Sequence, residues 1–435
     1  MALTVTGQNR LMAVLFAVAM LVSCLLAGQA EAKTTIVHAH EASHSWQPWL
    51  EEAKAAFEEA NPDIEIEVWP LTRQELIEKL FLTYGTESFP DVVETFASMY
   101  YSLALQGMFA DLNGYMQREK DLDWKDFFPV AVQDATFIAQ HRRAGERWML
   151  PVSFSTIGVA ANEDHFAESG LPPFHTVQAD WTWEDFRNLA RKLTRFGSDA
   201  TVTRYGASSW TFQQWVYNAG GWPFDRFVDP TKVTLMTEPC ITAISFLRSM
   251  IHEDRTLMQR YYQLYGSGVG ASISTSVGPT LTPRLRADGR VSAWSIGHQP
   301  KLVRQGTDVQ CIGLSMSMSS ANSEAAWKWM KFLATDQAPR HIALTGRPVP
   351  FAGAARRYVR FYTDPSPYEH VWIDLVSHPD AFGRPVVDPD VWNLVQDRVI
   401  RPGGILQSQG VAVESALLQL ETEANAVLAE RRMSQ

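Results

Sequence analysis

The sequence predicts an α/β fold in which a parallel or mixed sheet is covered by helices. Three segments near its start carry this prediction. Residues 34–38 form a β-branched run, residues 46–60 place apolar side chains at helical spacing, and residues 64–68 alternate apolar and charged side chains. A period near 3.6 indicates a helix, and strict alternation indicates a half-exposed strand. A strand, a helix and another strand in this order predict a crossover unit.

Elements of both kinds continue along the chain. Residues 91–93 predict another short buried strand. Thr182 is placed to cap a helix because Asp185 stands three residues later, and residues 326–333 and 413–428 have apolar side chains at helical spacing. Clusters of Pro and Gly predict loops at 220–230, 345–353, 363–367 and 400–404.

Composition excludes several classes of protein. The chain has 435 residues, is 46% hydrophobic and contains 15 Trp, which excludes a disordered protein. Its length predicts two or three domains. The net charge of −10 argues against a nucleic-acid ligand or an anionic membrane surface, because both would be repelled.

The N-terminus predicts export. Residues 1–32 have the character of a signal peptide, since 11–27 carry no charge and 30–32 form a small-x-small cleavage pattern, so that the mature chain begins at Lys33. Cys24 offers an alternative, because the sequence before it resembles a bacterial lipoprotein signal. Both readings place the protein beyond the inner membrane, in the periplasm. No later run is long enough to span a membrane.

The mature chain retains two cysteines. Cys240 and Cys311 are distant in sequence, and nothing in the sequence shows that they meet. Two thiols in an exported protein could pair, but one pair does not make a disulfide scaffold. We expect two buried, inert thiols.

The sequence has no P-loop, no Gly-x-Ser-x-Gly elbow and no His-Glu-x-x-His motif, so the main candidates are binding residues. His38, His40 and His44 stand close together with Glu41, and imidazole and carboxylate are ordinary zinc ligands. The alternatives are that these residues contact another ligand at the end of a strand, where open α/β sheets bind ligands, or that they only shape the loop. We expect no metal and no cofactor.

Aromatic residues form the second group of candidates. Trp210 and Trp215 are five residues apart, so they do not share a helical face, and Trp222 follows shortly after. An exposed indole suits the C–H face of a sugar, and its N–H can donate to a hydroxyl. Packing in the core is the competing interpretation for each of them.

Several motifs in order resemble the family 1 extracellular solute-binding proteins, the periplasmic components of ABC importers. The similarity runs over nearly all of 33–435. Its most specific parts are "PDVV" followed by "GMFADL", then "WMLPV", "GLP" and "WEDF", and finally "AWKWMKFL" with "TGRPVP". These stand at 90–93, 107–112, 148–152, 170–172, 183–186, 326–333 and 345–350.

The resemblance implies a two-lobed periplasmic-binding-protein fold of type II. Each lobe is then a mixed sheet flanked by helices, three crossover hinges join the lobes, and ligand binds in the cleft between them. The crossovers fall near 150–153, 312–315 and 347–350. Lobe 1 is made of 33–150 and 314–347, and lobe 2 is made of 151–313 and 348–435. Closure about such hinges buries a ligand from water.

The resemblance also implies ligand contacts, position by position. They lie in the loop after the first strand, the loop after the "PD" strand, the first and third crossovers, and the aromatic segment. The residues are His40, Glu41, Trp46, Glu94, Thr95, Ser153, Phe154, Ser155, Trp210, Gly221, Trp222 and Arg347. Residues 276–281 lack the Trp that sugar binders often place there.

These features predict a monomeric binding protein that captures a small solute, most simply a sugar or oligosaccharide, and delivers it to membrane permease subunits of an ABC transporter. A non-sugar solute such as a polyol phosphate or a polyamine is the alternative. Metal capture by the histidines and an exported glycoside hydrolase are the remaining hypotheses. The hydrolase would need two carboxylates about 5–9.5 Å apart, and Glu41 and Glu94 are the pair to nominate.

Overall fold

A computed structural model describes residues 33–42, 46–138, 141–209, 211–258, 271–277, 294–345, 347–353, 369–383 and 385–433. Its strands are β1 (Thr34–Glu41), β2 (Ile64–Leu71), β3 (Val92–Phe96), β4 (Leu150–Thr156), β5 (Gly158–Asn162), β6 (Arg195–Phe196), β7 (Val202–Ser208), β8 (Leu257–Met258), β9 (Ala271–Val277), β10 (Trp294–Gly297), β11 (Asp308–Met316) and β12 (Phe382–Gly383).

The α-helices alternate with these strands, as the sequence predicts. They are α1 (Gln47–Ala60), α2 (Arg73–Thr83), α3 (Ala97–Leu105), α4 (Asn113–Met116), α5 (Pro129–Asp134), α6 (Glu163–Glu168), α7 (Trp183–Leu193), α8 (Gln213–Asn218), α9 (Glu238–His252), α10 (Ser323–Ala334), α11 (Ala338–Thr345), α12 (Glu369–Ser377), α13 (Pro389–Ile400) and α14 (Val413–Met433).

The strands form two mixed sheets, which confirms the predicted fold class. The first sheet has the order β12-β11-β3-β1-β2, with β4 also paired to β11; the second has the order β10-β5-β9-β7-β6, with β8 paired to β7. Strand β1 pairs in parallel with both β2 and β3, whereas β11 runs antiparallel to β3 and β4. The predicted β-α-β opening is therefore present, because α1 connects β1 to its parallel neighbour β2.

Each sheet has its own hydrophobic core. The first core contains Trp49, Phe57 and Trp329 and is covered by α1, α10 and α11. The second contains Phe186 and Leu417 and is covered by α7, α9, α13 and α14. We call these two parts of the molecule the first and second units. Two large separate cores are expected for a chain of this length, since one core rarely grows beyond about 250–300 residues.

The chain changes sheets at Ile157. Strand β4 stays paired with β11 as far as Thr156, and β5 then begins the second sheet at Gly158. The chain returns to the first sheet between β10 and β11, at residues 298–307. The sheets therefore meet at a short two-stranded connection, and the division of the lobes at 150 and 314 stays a prediction.

The two cysteines confirm the prediction of buried thiols. Cys240 and Cys311 are both free and buried. Cys240 lies in the second core, and Cys311 lies in the first core. Burial raises the pKa of the Cys240 thiol to about 11, and it also raises the pKa of Cys311. Among the helices in the described ranges, none is both long and apolar enough to cross a membrane.

Candidate functional site

A cleft of about 1100 Å³ opens between the two units. One wall comes from α2 and α3, which pack on the first core, and the other comes from α8, α13 and α14, which pack on the second. Because each wall belongs to a different unit, any change in the angle between the units changes the width of this cleft.

Trp392 is the aromatic side chain of the second wall. It lies on α13, is partly exposed, and stacks on Phe224 with ring centroids 6.0 Å apart and an interplanar angle of 23°. The Asp388 side chain caps α13 by accepting hydrogen bonds from the Asp390 and Val391 N–H groups, which fixes the start of the helix. The indole is thus held from behind, with part of its surface in the cleft.

Amide side chains lie beside the indole. Gln396 stands four residues after Trp392 on α13, and its Nε2 donates to Oε1 of Gln213 over 3.1 Å. Both amides line the cleft. A side-chain amide both donates and accepts, so the pair matches the hydrogen-bonding character of a hydroxyl-bearing ligand.

Arg73 and Glu41 form an ion pair with two hydrogen bonds at the first wall. Nε and Nη2 of Arg73 donate to the two carboxylate oxygens of Glu41, each over 3.0 Å. The arginine side chain is 51% exposed, whereas that of Glu41 is 3% exposed. Arg73 is the first residue of α2, whose start is fixed by a capping box between Thr72 and Glu75. The guanidinium is therefore held in place where it lines the cleft.

Glu94, in the middle of β3, contacts the same part of the first wall. Its Oε2 accepts a hydrogen bond from the Glu41 backbone N–H over 3.0 Å and is 3.8 Å from Nδ1 of His40. Nε2 of His40 is 2.9 Å from Oε1 of Gln47 at the start of α1. The parallel pairing of β1 with β3 brings the ends of these strands together, so the predicted residues His40, Glu41 and Glu94 form one buried polar cluster.

Two further residues face this cluster. Arg347 lies within electrostatic reach of Glu94 and Glu41, and desolvation on burial lowers the pKa of its guanidinium. Tyr100, on α3, is buried beside the same two carboxylates, and burial raises the pKa of its phenol. The sequence prediction included Arg347 but did not include Tyr100.

The crossover residues lie in the sheet connection rather than in the open cleft. Ser153 is fully buried on β4, Phe154 belongs to the first core, and Ser155 is half-buried. Oγ1 of Thr95 lies 2.7 Å from Oγ of Ser315, which joins β3 to β11. None of these four predicted residues is among those that line the described cleft.

Three further predicted positions, Trp46, Gly221 and Trp222, have packing roles. Trp46 is fully buried in the first core, with its ring 5.3 Å from that of Trp49. Trp222 is 9% exposed and stacks on Phe227, with the ring centroids 4.3 Å apart. Gly221 approaches Pro239 so closely that an added Cβ would lie 2.5 Å from the proline Cβ. Trp210 and His44, which the sequence also nominated, lie outside the described residues.

His38 is a core residue. It is fully buried, and its Nδ1 accepts a hydrogen bond from Nε1 of Trp329 over 3.1 Å. Burial, with a smaller effect of His40, lowers its pKa to about 3. Within the described ranges no group of three or more His, Cys, Asp or Glu side chains is arranged to hold a metal ion.

The sequence did not reveal the cleft residues Trp392, Gln396, Gln213 and Arg73. Trp392 lies on a regular amphipathic helix, so its type and spacing resemble those of a core tryptophan. Arg73 stands in a polar stretch, and its partner Glu41 is 32 residues away. The pairing of β1 with β2 brings the two residues together.

The model of the family described as bacterial extracellular solute-binding protein matches residues 43–257. A protein of Brucella abortus (strain 2308), described as a binding protein, is 23% identical over 333 residues, which covers 71% of this chain and 74% of the relative.

Three solved structures share the fold. An ABC substrate-binding protein from Listeria monocytogenes, in complex with cycloalternan, has a TM-score of 0.72 at 21% identity and covers 91% of this chain and 99% of its own. A cyclic α-maltosyl-1,6-maltose binding protein from Arthrobacter globiformis has a TM-score of 0.74 at 19% identity, with the same coverage. A Mycobacterium tuberculosis protein in complex with glycerophosphocholine has a TM-score of 0.72 at 16% identity and covers 92% of this chain and 99% of its own.

Proposed function

We propose that this chain, which belongs to the bacterial extracellular solute-binding protein family, captures a sugar or oligosaccharide in the cleft between its units and delivers it to an ABC importer. The observation that carries the proposal is the composition of the cleft. A partly exposed indole, Trp392, stands on one wall beside Gln213 and Gln396, and Arg73 stands on the other. An aromatic face with convergent hydrogen-bonding groups is the pattern that binds sugar rings.

The size of the cleft supports an oligosaccharide. Its volume of about 1100 Å³ slightly exceeds the range of about 300–1,000 Å³ that is usual for small-molecule sites. Two structural neighbours are described as binding cyclic oligosaccharides, which favours the same class of ligand here.

Capture needs no covalent step. Both oxygens of Glu41 accept hydrogen bonds from Arg73, so this carboxylate is engaged in positioning a side chain. We therefore propose a binding role for the cluster that contains Glu41 and Glu94. The family consists of binding proteins that act outside the cytoplasm.

The proposal extends to the location, the oligomeric state and the partners of the protein. The protein works as a monomer in the periplasm, either after cleavage behind Ala32 or as a lipid-anchored form through Cys24. Its partners are the solute and the permease subunits in the inner membrane. The lobes divide at 150, 313 and 347, and closure over the ligand narrows the cleft between them.

A non-sugar solute is the second candidate. One neighbour of similar fold is described in complex with glycerophosphocholine, a phosphodiester. Arg73, Arg401, Arg431 and Arg432 line the cleft, and guanidinium groups pair well with phosphate oxygens. Arg347 lies within electrostatic reach of Glu41 and Glu94 and is the basic residue that the sequence nominated.

Isothermal titration calorimetry decides between these candidates. The protein that begins at Lys33 is titrated with cycloalternan, maltose, D-tagatose, glycerophosphocholine and spermidine. We expect a one-site isotherm with at least one sugar. Binding of glycerophosphocholine or spermidine, with no heat from any sugar, would contradict the ligand class. Small-angle scattering with the binding sugar should show a smaller radius of gyration, since closure narrows the cleft.

A further inference from the structure

Arg73 lines the cleft and is held by a buried carboxylate, whereas the carboxylate partners of Arg401 and Arg432 are partly exposed. The side chain of Arg73 is 51% exposed, yet it makes two hydrogen bonds to a carboxylate that is only 3% exposed. Its guanidinium carbon also lies 5.4 Å from the ring centroid of Phe96. Carboxylate and ring together fix the plane of the guanidinium.

This arrangement leaves hydrogen-bond donors free for a ligand. A guanidinium has five N–H groups. Nε and Nη2 each use one of them on Glu41, so three remain. Because Arg73 lines the cleft, these donors are accessible to an acceptor atom there.

The charges beside Arg73 are two carboxylates and two guanidinium groups, and the other arginines that line the cleft also have carboxylate partners. Glu41 is paired with Arg73, while Glu94 contacts the same part of the first wall, and Arg347 is within electrostatic reach of both carboxylates. Two arginines therefore face two glutamates. An anion that approached Arg73 would be attracted by its guanidinium but repelled by the carboxylate of Glu41. A hydroxyl oxygen would accept a hydrogen bond from Arg73 without that repulsion.

We infer that Arg73, neutralised and oriented by Glu41, selects neutral hydroxyl-rich solutes over anionic ones, an inference that rests on the proposed function. Arg73 is the contact, and Glu41 is the positioning residue that removes its net charge. The pair of Arg73 and Glu41 therefore favours the binding of neutral sugars over the binding of sugar phosphates. Glu41 therefore acts through Arg73, which differs from the direct ligand contact that the sequence predicts.

The decisive variant is Glu41→Gln. It keeps the shape of the side chain but removes its charge, so Arg73 becomes an unneutralised cation in the cleft. Dissociation constants are measured for the neutral sugar that binds most tightly and for its phosphate monoester, with maltose and maltose 1-phosphate as the first pair. We expect the preference for the neutral sugar to fall by about tenfold or more, because a charge-assisted hydrogen bond contributes about 1.5–3 kcal/mol and 1.4 kcal/mol is tenfold.

A second variant tests the geometry without altering a buried residue. Arg73→Lys retains the charge but cannot bind Glu41 through two parallel hydrogen bonds. We expect it to bind the neutral sugar about tenfold more weakly. Since the Arg73 side chain is half exposed, we expect this variant to fold normally, which circular dichroism will check.

The surface provides a matched control. Nε and Nη2 of Arg340 donate to the two oxygens of Glu52 over 2.6 and 2.8 Å, and the side chains are 50% and 49% exposed. Glu52→Gln removes a carboxylate from the same kind of pair outside the residues that line the cleft. Glu52→Gln should leave both dissociation constants unchanged. That result would exclude a general loss of negative charge as the cause of the altered selectivity in Glu41→Gln.

The outcomes separate the two proposals. A shift of selectivity in Glu41→Gln, absent in Glu52→Gln, supports the inference. An unchanged ratio, or a wild-type protein that prefers the phosphate monoester, overturns the inference and leaves solute binding intact. If the wild-type protein binds no sugar at all, the proposed sugar-binding function fails and this inference fails with it.

Discussion

Nε1 of Trp329 donates a hydrogen bond to Nδ1 of His38 over 3.1 Å, and this contact joins helix α10 to the centre of the first sheet. Both side chains are fully buried. Since Nδ1 accepts this bond, the imidazole is neutral with its proton on Nε2. His341, on α11, is also fully buried, with its ring 4.6 Å from that of Trp49. The first unit thus contains two buried neutral histidines.

Acid should destabilise the protein through these histidines. Burial lowers the pKa of His38 and of His341 to about 3, from 6.5. The unfolded chain therefore binds more protons below pH 6.5, and the stability that these residues contribute is lost as the pH falls toward 3. At pH 5 each should reduce the free energy of unfolding by up to about 2 kcal/mol relative to pH 7.

Urea unfolding between pH 7 and pH 5 tests this. The variant His341→Leu removes one of the two groups, so its free energy of unfolding should depend less on pH than that of the wild type. Equal pH dependence in the two proteins would contradict the assignment.

Trp392 should carry a large part of the binding energy. Trp392→Ala removes the aromatic face of the second wall and should weaken sugar binding by about tenfold to a hundredfold, whereas Trp392→Phe should retain most of the affinity. Trp69→Ala is the control, because Trp69 is also partly exposed but lies under Lys79, outside the residues that line the cleft. Equal losses of affinity in both alanine variants would show that the effect is not local.

Gly221 should matter for stability. A Cβ at this position would lie 2.5 Å from Cβ and 2.7 Å from Cγ of Pro239. Gly221→Ala should therefore lower the free energy of unfolding by about 1–3 kcal/mol. Gly114→Ala is the matched control, because no atom lies within 4 Å of its added Cβ and the residue is helical. A stable Gly221→Ala variant that had lost its ligand would instead favour the ligand contact that the sequence predicts.

The native thiols should be unreactive. Cys240 and Cys311 are fully buried, and burial raises the pKa of both. In the protein that begins at Lys33, a thiol reagent such as 5,5′-dithiobis(2-nitrobenzoate) should label neither residue at pH 8 until urea is added, and then both. Rapid labelling of the native protein would mean that one core is open to solvent.

The sequence predicted most of the framework because its signals are local. The apolar spacing of 46–60 gave helix α1, and the capping box of Thr182 and Asp185 gave the start of α7. The site depends on contacts between distant segments, which such signals do not contain. Arg73 meets Glu41 only because β1 and β2 pair, and Trp46 resembles a cleft residue in sequence but packs in the core.

The most direct test of the account is a crystal structure of the protein with the sugar that binds most tightly in calorimetry. We expect the sugar between the two units, with one ring on the indole of Trp392 and a hydroxyl oxygen accepting a hydrogen bond from Arg73. A sugar bound elsewhere, or one that touches neither Trp392 nor Arg73, would contradict the account.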